Sequence, residues 1–280
     1  GTPATRPCSG AAGPSPCTFS TIRQKKSLGQ NWLIDTDLRD RVVAEAGIAP
    51  EDEVLEIGPG PGTLTDQIVG RARRLEAVEL DGRLAGRLRR RYAGRTDVEV
   101  VESDILRTDL GALFPAGGEV VVGNIPYYLT GALLPKLLDH PPRPKRISLV
   151  VQREVAERWT AATGVSTATV AVQLYSEARL ALHLPAAAFD PEPRVDSALV
   201  VMEVRGRPAL DLDDPDAFLR FVERVFQFRR KQLAGSLPRV SGLPVPEVAE
   251  RLRSAGVEPT RRPETLRLDE WDAVFRLTGL

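Results

Sequence analysis

The chain runs from a short apolar stretch, Val54-Leu55-Glu56-Ile57, straight into a turn with glycine at every second position, Gly58-Pro59-Gly60-Pro61-Gly62. Thr63-Leu64-Thr65 then opens a helix through about Val69. A strand, a glycine turn and a helix start in that order predict an α/β layout and let a backbone approach a bulky cofactor closely. The spacing narrows the cofactor. A dinucleotide site carries G-x-G-x-x-G, which position 63, a Thr, does not continue. Pro59 and Pro61 also remove N–H donors that a phosphate cradle would use.

Polar residues recur where the next strands end. Leu75 to Leu80 predicts a second strand, with Glu79 placed to take both hydroxyls of a ribose. Val98 to Val101 predicts a third, followed by Glu102-Ser103-Asp104-Ile105, where Asp104 can accept the exocyclic amine of an adenine. Val120 to Val122 predicts a fourth, and Asn124-Ile125-Pro126-Tyr127 follows it. That tetrapeptide joins a carboxamide oxygen, a backbone carbonyl before a rigid ring, and an aromatic face. Such a set suits a planar base carrying an exocyclic amine, both of whose N–H bonds can be accepted while the Tyr127 ring stacks on it. A plain strand-end turn explains Asn and Pro equally well in isolation. Coincidence is a poor explanation for four such positions at the carboxyl ends of strands in an alternating β/α chain, where open α/β sheets bind ligands.

The flanking sequence completes the architecture. Asp35-Thr36-Asp37 predicts the N-cap of a helix from Leu38 to Ala46, which Gly47 and Pro50 stop. Just before it, Gln30, Asn31 and Trp32 suit either a surface segment or a pocket mouth. Arg146 to Gln152 predicts a fifth strand, and Val170 to Tyr175 and Ala198 to Val204 two more. An acidic linker from Asp211 to Asp216 then leads to helical spacing of Phe218, Phe221, Val222, Val225 and Phe226; Val248 with Leu252, and Leu268, Trp271 and Phe275, mark two further helices. Three segments follow: a disordered extension over 1–20, a cofactor-binding α/β domain over 21–205, and a small all-helical domain over 206–280.

Charge says less. Formal net charge is zero, which leaves only its distribution to suggest a nucleic-acid partner. Cations cluster at Lys25 and Lys26, at Arg143, Lys145 and Arg146, and at Arg229, Arg230 and Lys231, although such clusters are more often solvated faces than binding patches. Cys8 and Cys17 lie in the Pro-, Gly- and Ser-rich first twenty residues, without metal-ligand spacing, so neither a disulfide framework nor a metal site is expected. No run of about 18 apolar residues exists, so a soluble, cytoplasmic chain without a membrane span is expected.

Taken together, Glu56-x-Gly58-x-Gly60-x-Gly62, Glu79, Asp104 and Asn124-Ile125-Pro126-Tyr127 resemble the motifs of the S-adenosylmethionine-dependent adenine N6-methyltransferases that act on ribosomal RNA. Ser27-Leu28-Gly29-Gln30-Asn31-Trp32-Leu33 resembles the opening motif, with Trp32 where the family usually has Phe. Phe189-x-Pro191-x-Pro193-x-Val195-Asp196-Ser197 resembles a later one. Phe226 to Leu233 and Arg262 to Trp271 look like the C-terminal motifs of the small-subunit rRNA adenine dimethyltransferases, more than those of the large-subunit macrolide-resistance enzymes. Gly131, where the family usually has Ser or Thr, and Thr163 to Thr169, which lacks a Tyr-Gly pair, depart from the pattern.

The resemblance implies a Rossmann-like class I methyltransferase domain with a mixed, mainly parallel sheet. It implies S-adenosyl-L-methionine as cofactor, held by Gln30, Asn31, Leu33, Gly58, Gly60, Glu79, Leu80, Asp104, Ile105 and Asn124. Asn124, Ile125, Pro126 and Tyr127 would carry the reaction, with Phe189 as the second wall of the base pocket. The implied partner is small-subunit rRNA or an immature small ribosomal subunit, gripped through the three cation clusters, with a monomer expected. Two other readings are a large-subunit resistance methylase and a relative that binds nucleic acid without catalysis. A DNA adenine methylase would normally carry Pro where Ile125 stands.

Overall fold

Apolar runs too long to face water on either side form the centre of the molecule, which the computed structural model describes over residues 30–138 and 141–279. Lys25, Lys26, the first three residues of the opening motif and the expected extension over 1–20 lie outside the described residues. In chain order the elements are β1 (Trp32–Leu33), α1 (Thr36–Ala46), β2 (Glu53–Ile57), α2 (Thr65–Ile68), β3 (Arg74–Glu79), α3 (Gly82–Arg91), β4 (Val98–Glu102) and α4 (Leu110–Leu113). They continue with β5 (Val120–Asn124), α5 (Thr130–Leu138), β6 (Arg146–Gln152), α6 (Arg153–Trp159), α7 (Thr167–Tyr175), β7 (Ser176–Leu184), β8 (Phe189–Asp190) and β9 (Ser197–Val204). Four helices close the chain: α8 (Pro215–Phe226), α9 (Leu233–Ser241), α10 (Val245–Ser254) and α11 (Leu268–Thr278).

Seven strands pair in the order β4-β3-β2-β5-β6-β9-β7. The first five are parallel, and β9 joins β6 and β7 antiparallel. This is the mixed, mainly parallel sheet expected. Side chains alternate faces along each strand, and the core divides accordingly. Leu55, Ile57, Val121, Leu149 and Val151 face one apolar layer. Val54, Val120, Val122 and Val150 face the other, against Val42, Val43 and Ala46 of α1. Asp35 caps α1 by accepting the Leu38 N–H at 2.9 Å, as its spacing predicts.

Two corrections concern the segment after β6. Val170 to Tyr175 is the end of helix α7, not a strand: Ser166 caps it, and six of its nine residues, all apolar but Thr169, are buried. The strand follows it. As an edge strand, β7 alternates charged and apolar side chains, and it carries a register shift between Leu180 and Leu182. Four C-terminal helices stand where three were expected, because Gly235 and Pro238 interrupt the apolar pattern of α9.

The C-terminal helices share one apolar cluster with α5 and α7. Phe218 meets Phe275 edge-on at 5.5 Å and Phe221 meets Trp271 at 6.3 Å. The departing segment before α7 is fitted to this contact: Gly164 donates its N–H to the Leu266 carbonyl at 2.7 Å, and a Cβ there would stand 2.6 Å from Trp271 Nε1 and 2.7 Å from Val170 Cγ2. Gly164→Ala is therefore expected to destabilise the fold by about 1–3 kcal/mol, read as a fall of several degrees in thermal midpoint. An unchanged midpoint would show that Trp271 can move away freely.

Candidate active site

Strand β2 pairs with β3 on one side and β5 on the other, so the chain's crossovers diverge there, at the switch point where open α/β sheets leave a crevice beyond the strand ends. A solvent-open cleft, about 1080 Å³ when the open space at its mouth is included, occupies that place. Its walls include Gln30, Asn31, Gly58, Gly60, Glu79, Leu80, Asp104, Ile105, Asn124, Ile125, Pro126 and Tyr127. Residues from five separate stretches of sequence therefore meet at one site.

Glu79 ends β3 with its side chain turned under the glycine turn. It is 4% exposed, and its two oxygens accept the N–H of Gly60 at 2.9 Å and of Asp81 at 2.8 Å. Burial raises its pKa above the usual carboxylate range, and the two backbone donors oppose that rise. Gly60 has φ +60°, and a Cβ on it would meet Trp32 Nε1 at 3.1 Å, so the turn closes onto the indole only because no side chain intervenes. Asp104, after β4, turns its Oδ1 to the N–H of Leu106 at 2.9 Å.

Asn124, the last residue of β5, is held by β1's neighbour: its Nδ2 donates to the Asn31 carbonyl at 2.8 Å. That bond orients the carboxamide and leaves Oδ1 as an acceptor. The Ile125 N–H donates to Val150 at 3.0 Å, and the Pro126 carbonyl accepts from Leu129 at 2.9 Å as the next turn begins. The Ile125 carbonyl, the one expected to receive an amine, accepts no bond among the described residues, whereas the Pro126 carbonyl already closes a turn. Tyr127 shares a 3.1 Å hydrogen bond between its hydroxyl and Ser197 Oγ, and burial raises its pKa.

Residues 21–277 match the profile of a family described as ribosomal RNA adenine dimethylase. The chain belongs to that family. Among curated relatives, ribosomal RNA small subunit methyltransferase A of Pelotomaculum thermopropionicum is 39% identical over 268 residues, covering 90% of each chain. The protein of the same name from Moorella thermoacetica is 36% identical over 276 residues, 92% of this chain and 96% of its own. Among solved structures, the 23S rRNA methyltransferase ErmE is 30% identical with a TM-score of 0.72, over 89% of this chain and all of its own length. A dimethyladenosine transferase from Plasmodium falciparum is 25% identical with a TM-score of 0.75, over 89% and 98%.

Membership in a methylase family implies S-adenosylmethionine as methyl donor, and the cleft fits that molecule. It has room for a nucleoside with a tail, a buried carboxylate with acceptor capacity at the expected ribose end, and an open glycine turn: a Cβ on Gly58 would meet nothing within 4 Å. Two residues expected at the dimethylase site are not among those lining the cleft. Leu33 is fully buried, Phe189 is 3% exposed, and the two are register partners between β1 and β8, packed in the apolar layer with α1. In this conformation Phe189 is therefore not a wall of the cleft.

The cations also divide. Arg143 donates to the Leu138 carbonyl and lies 4.1 Å from the Tyr175 ring centroid. Lys145 is hydrogen-bonded to Asp52, and Arg146 binds Glu203 at 2.7 Å and the Ala46 and Gly47 carbonyls at 3.0 and 2.9 Å. All three cations expected to grip phosphate therefore have partners within the protein. Arg229, Arg230 and Lys231 are exposed, and their side chains make no hydrogen bond or ion pair among the described residues.

Several wall residues were not anticipated. Thr63, Leu106 and Tyr128 line the cleft, and so does Glu56, which is 1% exposed. Burial, with the nearby charges of Asp66 and Glu79, raises the Glu56 pKa to about 8 from an ordinary 4.5. Between those values the folded protein keeps a proton that the unfolded chain has lost, so this group's contribution to stability falls as pH rises from about 4.5 to about 8. Glu56→Gln mimics the protonated acid at every pH. Its thermal midpoint relative to wild type is expected to climb across that window and level off above it; parallel curves would show that Glu56 does not titrate there.

Proposed function

We propose that this chain transfers methyl groups from S-adenosylmethionine to N6 of adenines in small-subunit rRNA, giving N6,N6-dimethyladenosine during ribosome maturation. The observation that carries it is the set Asn124 Oδ1, the Ile125 carbonyl and the Tyr127 ring on the wall of the cleft, with the Asn124 amide oriented by Asn31. The small-subunit assignment rests on curated relatives at 34–39% identity that carry that name across most of both chains.

When bound, the cofactor supplies a methyl group activated by its sulfonium. Everything else falls to the chain. Glu79 would take the ribose hydroxyls, Asp104 the adenine amine, and the glycine turn would lie along the tail. An adenine N6 lone pair is delocalised into its ring and attacks poorly. Accepting both of its N–H bonds at Asn124 Oδ1 and the Ile125 carbonyl favours the pyramidal amine that attacks, so these contacts strengthen on approach to the transition state. Tyr127, braced by Ser197, would stack on the base, which must leave its helix or loop to enter. No dedicated base is needed, since the amine becomes acidic on methylation.

Arg229, Arg230 and Lys231 are proposed to hold phosphates. Replacing all three by Ala is expected to weaken rRNA binding and to flatten the slope of log affinity against log salt by about 2, since each phosphate contact contributes about −0.7 to −0.9. An unchanged slope would place the RNA elsewhere. The substrate branch is tested by offering the protein immature small subunits and naked large-subunit rRNA with labelled cofactor. Label in small-subunit RNA is expected, and label confined to large-subunit RNA would move the chain to the resistance branch.

A further inference from the structure

Two tyrosines stand side by side in the turn after Pro126, and the turn sends them to different places. Residues 127–129 form one 3-10 turn, in which successive side chains diverge by about 120°. Tyr127 reaches Ser197 on β9, and Leu129 is buried in the core. Tyr128 projects into the cleft and is 60% exposed, the most exposed large apolar side chain among the described residues. Two further exposed apolar side chains line the same cleft: Leu80 at 48%, directly after Glu79, and Leu106 at 36%, two residues after Asp104. Exposed apolar groups gathered at one cleft mark a surface that a ligand covers. Burial first, then the charges of Asp104 and Glu79 on the same cleft, push the Tyr128 pKa up, so the ring stays neutral.

We infer that Tyr128 is a positioning residue for the cofactor, its ring closing the nucleoside end of the cleft opposite Glu79 and Asp104. The inference rests on the reading of this cleft as an S-adenosylmethionine site. It gives neighbouring tyrosines separate tasks: Tyr127 serves the base that accepts the methyl group, and Tyr128 retains the molecule that donates it. A flat, uncharged ring covers a purine without competing for the polar contacts at its edge.

The test uses the full chain, for cofactor binding without RNA and for turnover with it. Binding of S-adenosylhomocysteine is measured by calorimetry for wild type, Tyr128→Phe and Tyr128→Ala, alongside the KM for immature small subunits. Tyr128→Ala is expected to weaken S-adenosylhomocysteine about tenfold, the effect of losing one ring–base stack, and to raise the KM for S-adenosylmethionine, with kcat and the KM for RNA at saturating cofactor within twofold of wild type. Tyr128→Phe, which keeps the ring, is expected to bind within twofold of wild type. Wild-type cofactor affinity in Tyr128→Ala with a raised KM for RNA would overturn the inference and place the ring against RNA. A Phe variant as weak as Ala would also overturn it, because the hydroxyl rather than the ring would then be acting. If wild type itself binds no S-adenosylhomocysteine, the cofactor reading fails and the inference with it.

Discussion

Asn124→Ala is expected to lower the rate of dimethyladenosine formation by about 10²–10³ at saturating cofactor and RNA, the usual cost of removing one preorganised group that meets developing charge. The size follows from how the amide is held. Its Nδ2 is committed to the Asn31 carbonyl at 2.8 Å, so the oxygen points without reorganisation at the moment of reaction. Alanine removes that acceptor and also unpins the segment before β1. Asn124→Asp separates the two effects. It keeps an oxygen acceptor but sets a carboxylate against the Asn31 carbonyl, so it is expected to lose about as much activity as Ala despite its acceptor. The check is single-turnover transfer with each variant. A tenfold loss or less with Ala would mean that the Ile125 carbonyl and stacking suffice.

Glu79→Gln is expected to weaken S-adenosylhomocysteine binding by about 100-fold while leaving single-turnover rates at saturating cofactor within a few-fold of wild type. Glu79 accepts two backbone N–H bonds inside the protein and would use its remaining lone pairs on the ribose. An amide has one oxygen for all of these, and its NH₂ would face either the Gly60 or the Asp81 donor. Hydrogen bonds to a charged partner contribute about 1.5–3 kcal/mol, so losing the charge and one acceptor accounts for the expected loss. A buried N–H left unpaired is also expected to lower the thermal midpoint by several degrees. Because burial raises the Glu79 pKa, wild-type affinity should fall on acidification earlier than an ordinary carboxylate would dictate. Calorimetric titration of both proteins from neutral to acid pH checks both points; an affinity unchanged by Gln would remove Glu79 from the ribose.

Much of this site was legible because parallel strands leave short apolar runs, nearly continuous in β5 and β6 and interrupted by one glutamate each in β2, β3 and the edge strand β4, and all five stand where such runs predict them. Ligand residues then follow from where those runs end. What the sequence does not show depends on packing and on partners distant along the chain. Val170 to Tyr175 has the composition of a strand because α7 is buried on almost every side, which rewards β-branched and aromatic residues in a helix too. Lys145 and Arg146 look like free cations until the fold brings Asp52 and Glu203 to them. Phe189 matched a motif, yet a motif gives position and not side-chain direction, and the pairing of β1 with β8 turned it inward. Tyr128 carries no signal of its own beside Tyr127, since only the 3-10 turn reveals that the two rings part.

The most direct test of the whole account is the identity of the product. Wild-type protein would be incubated with labelled S-adenosylmethionine and immature small subunits, the RNA digested to nucleosides, and the label located by mass. N6,N6-dimethyladenosine as the labelled nucleoside is the predicted result, because this cleft presents acceptors for an amine and a stacking ring. Label on a ribose, on another base, or at another position of adenine would contradict it.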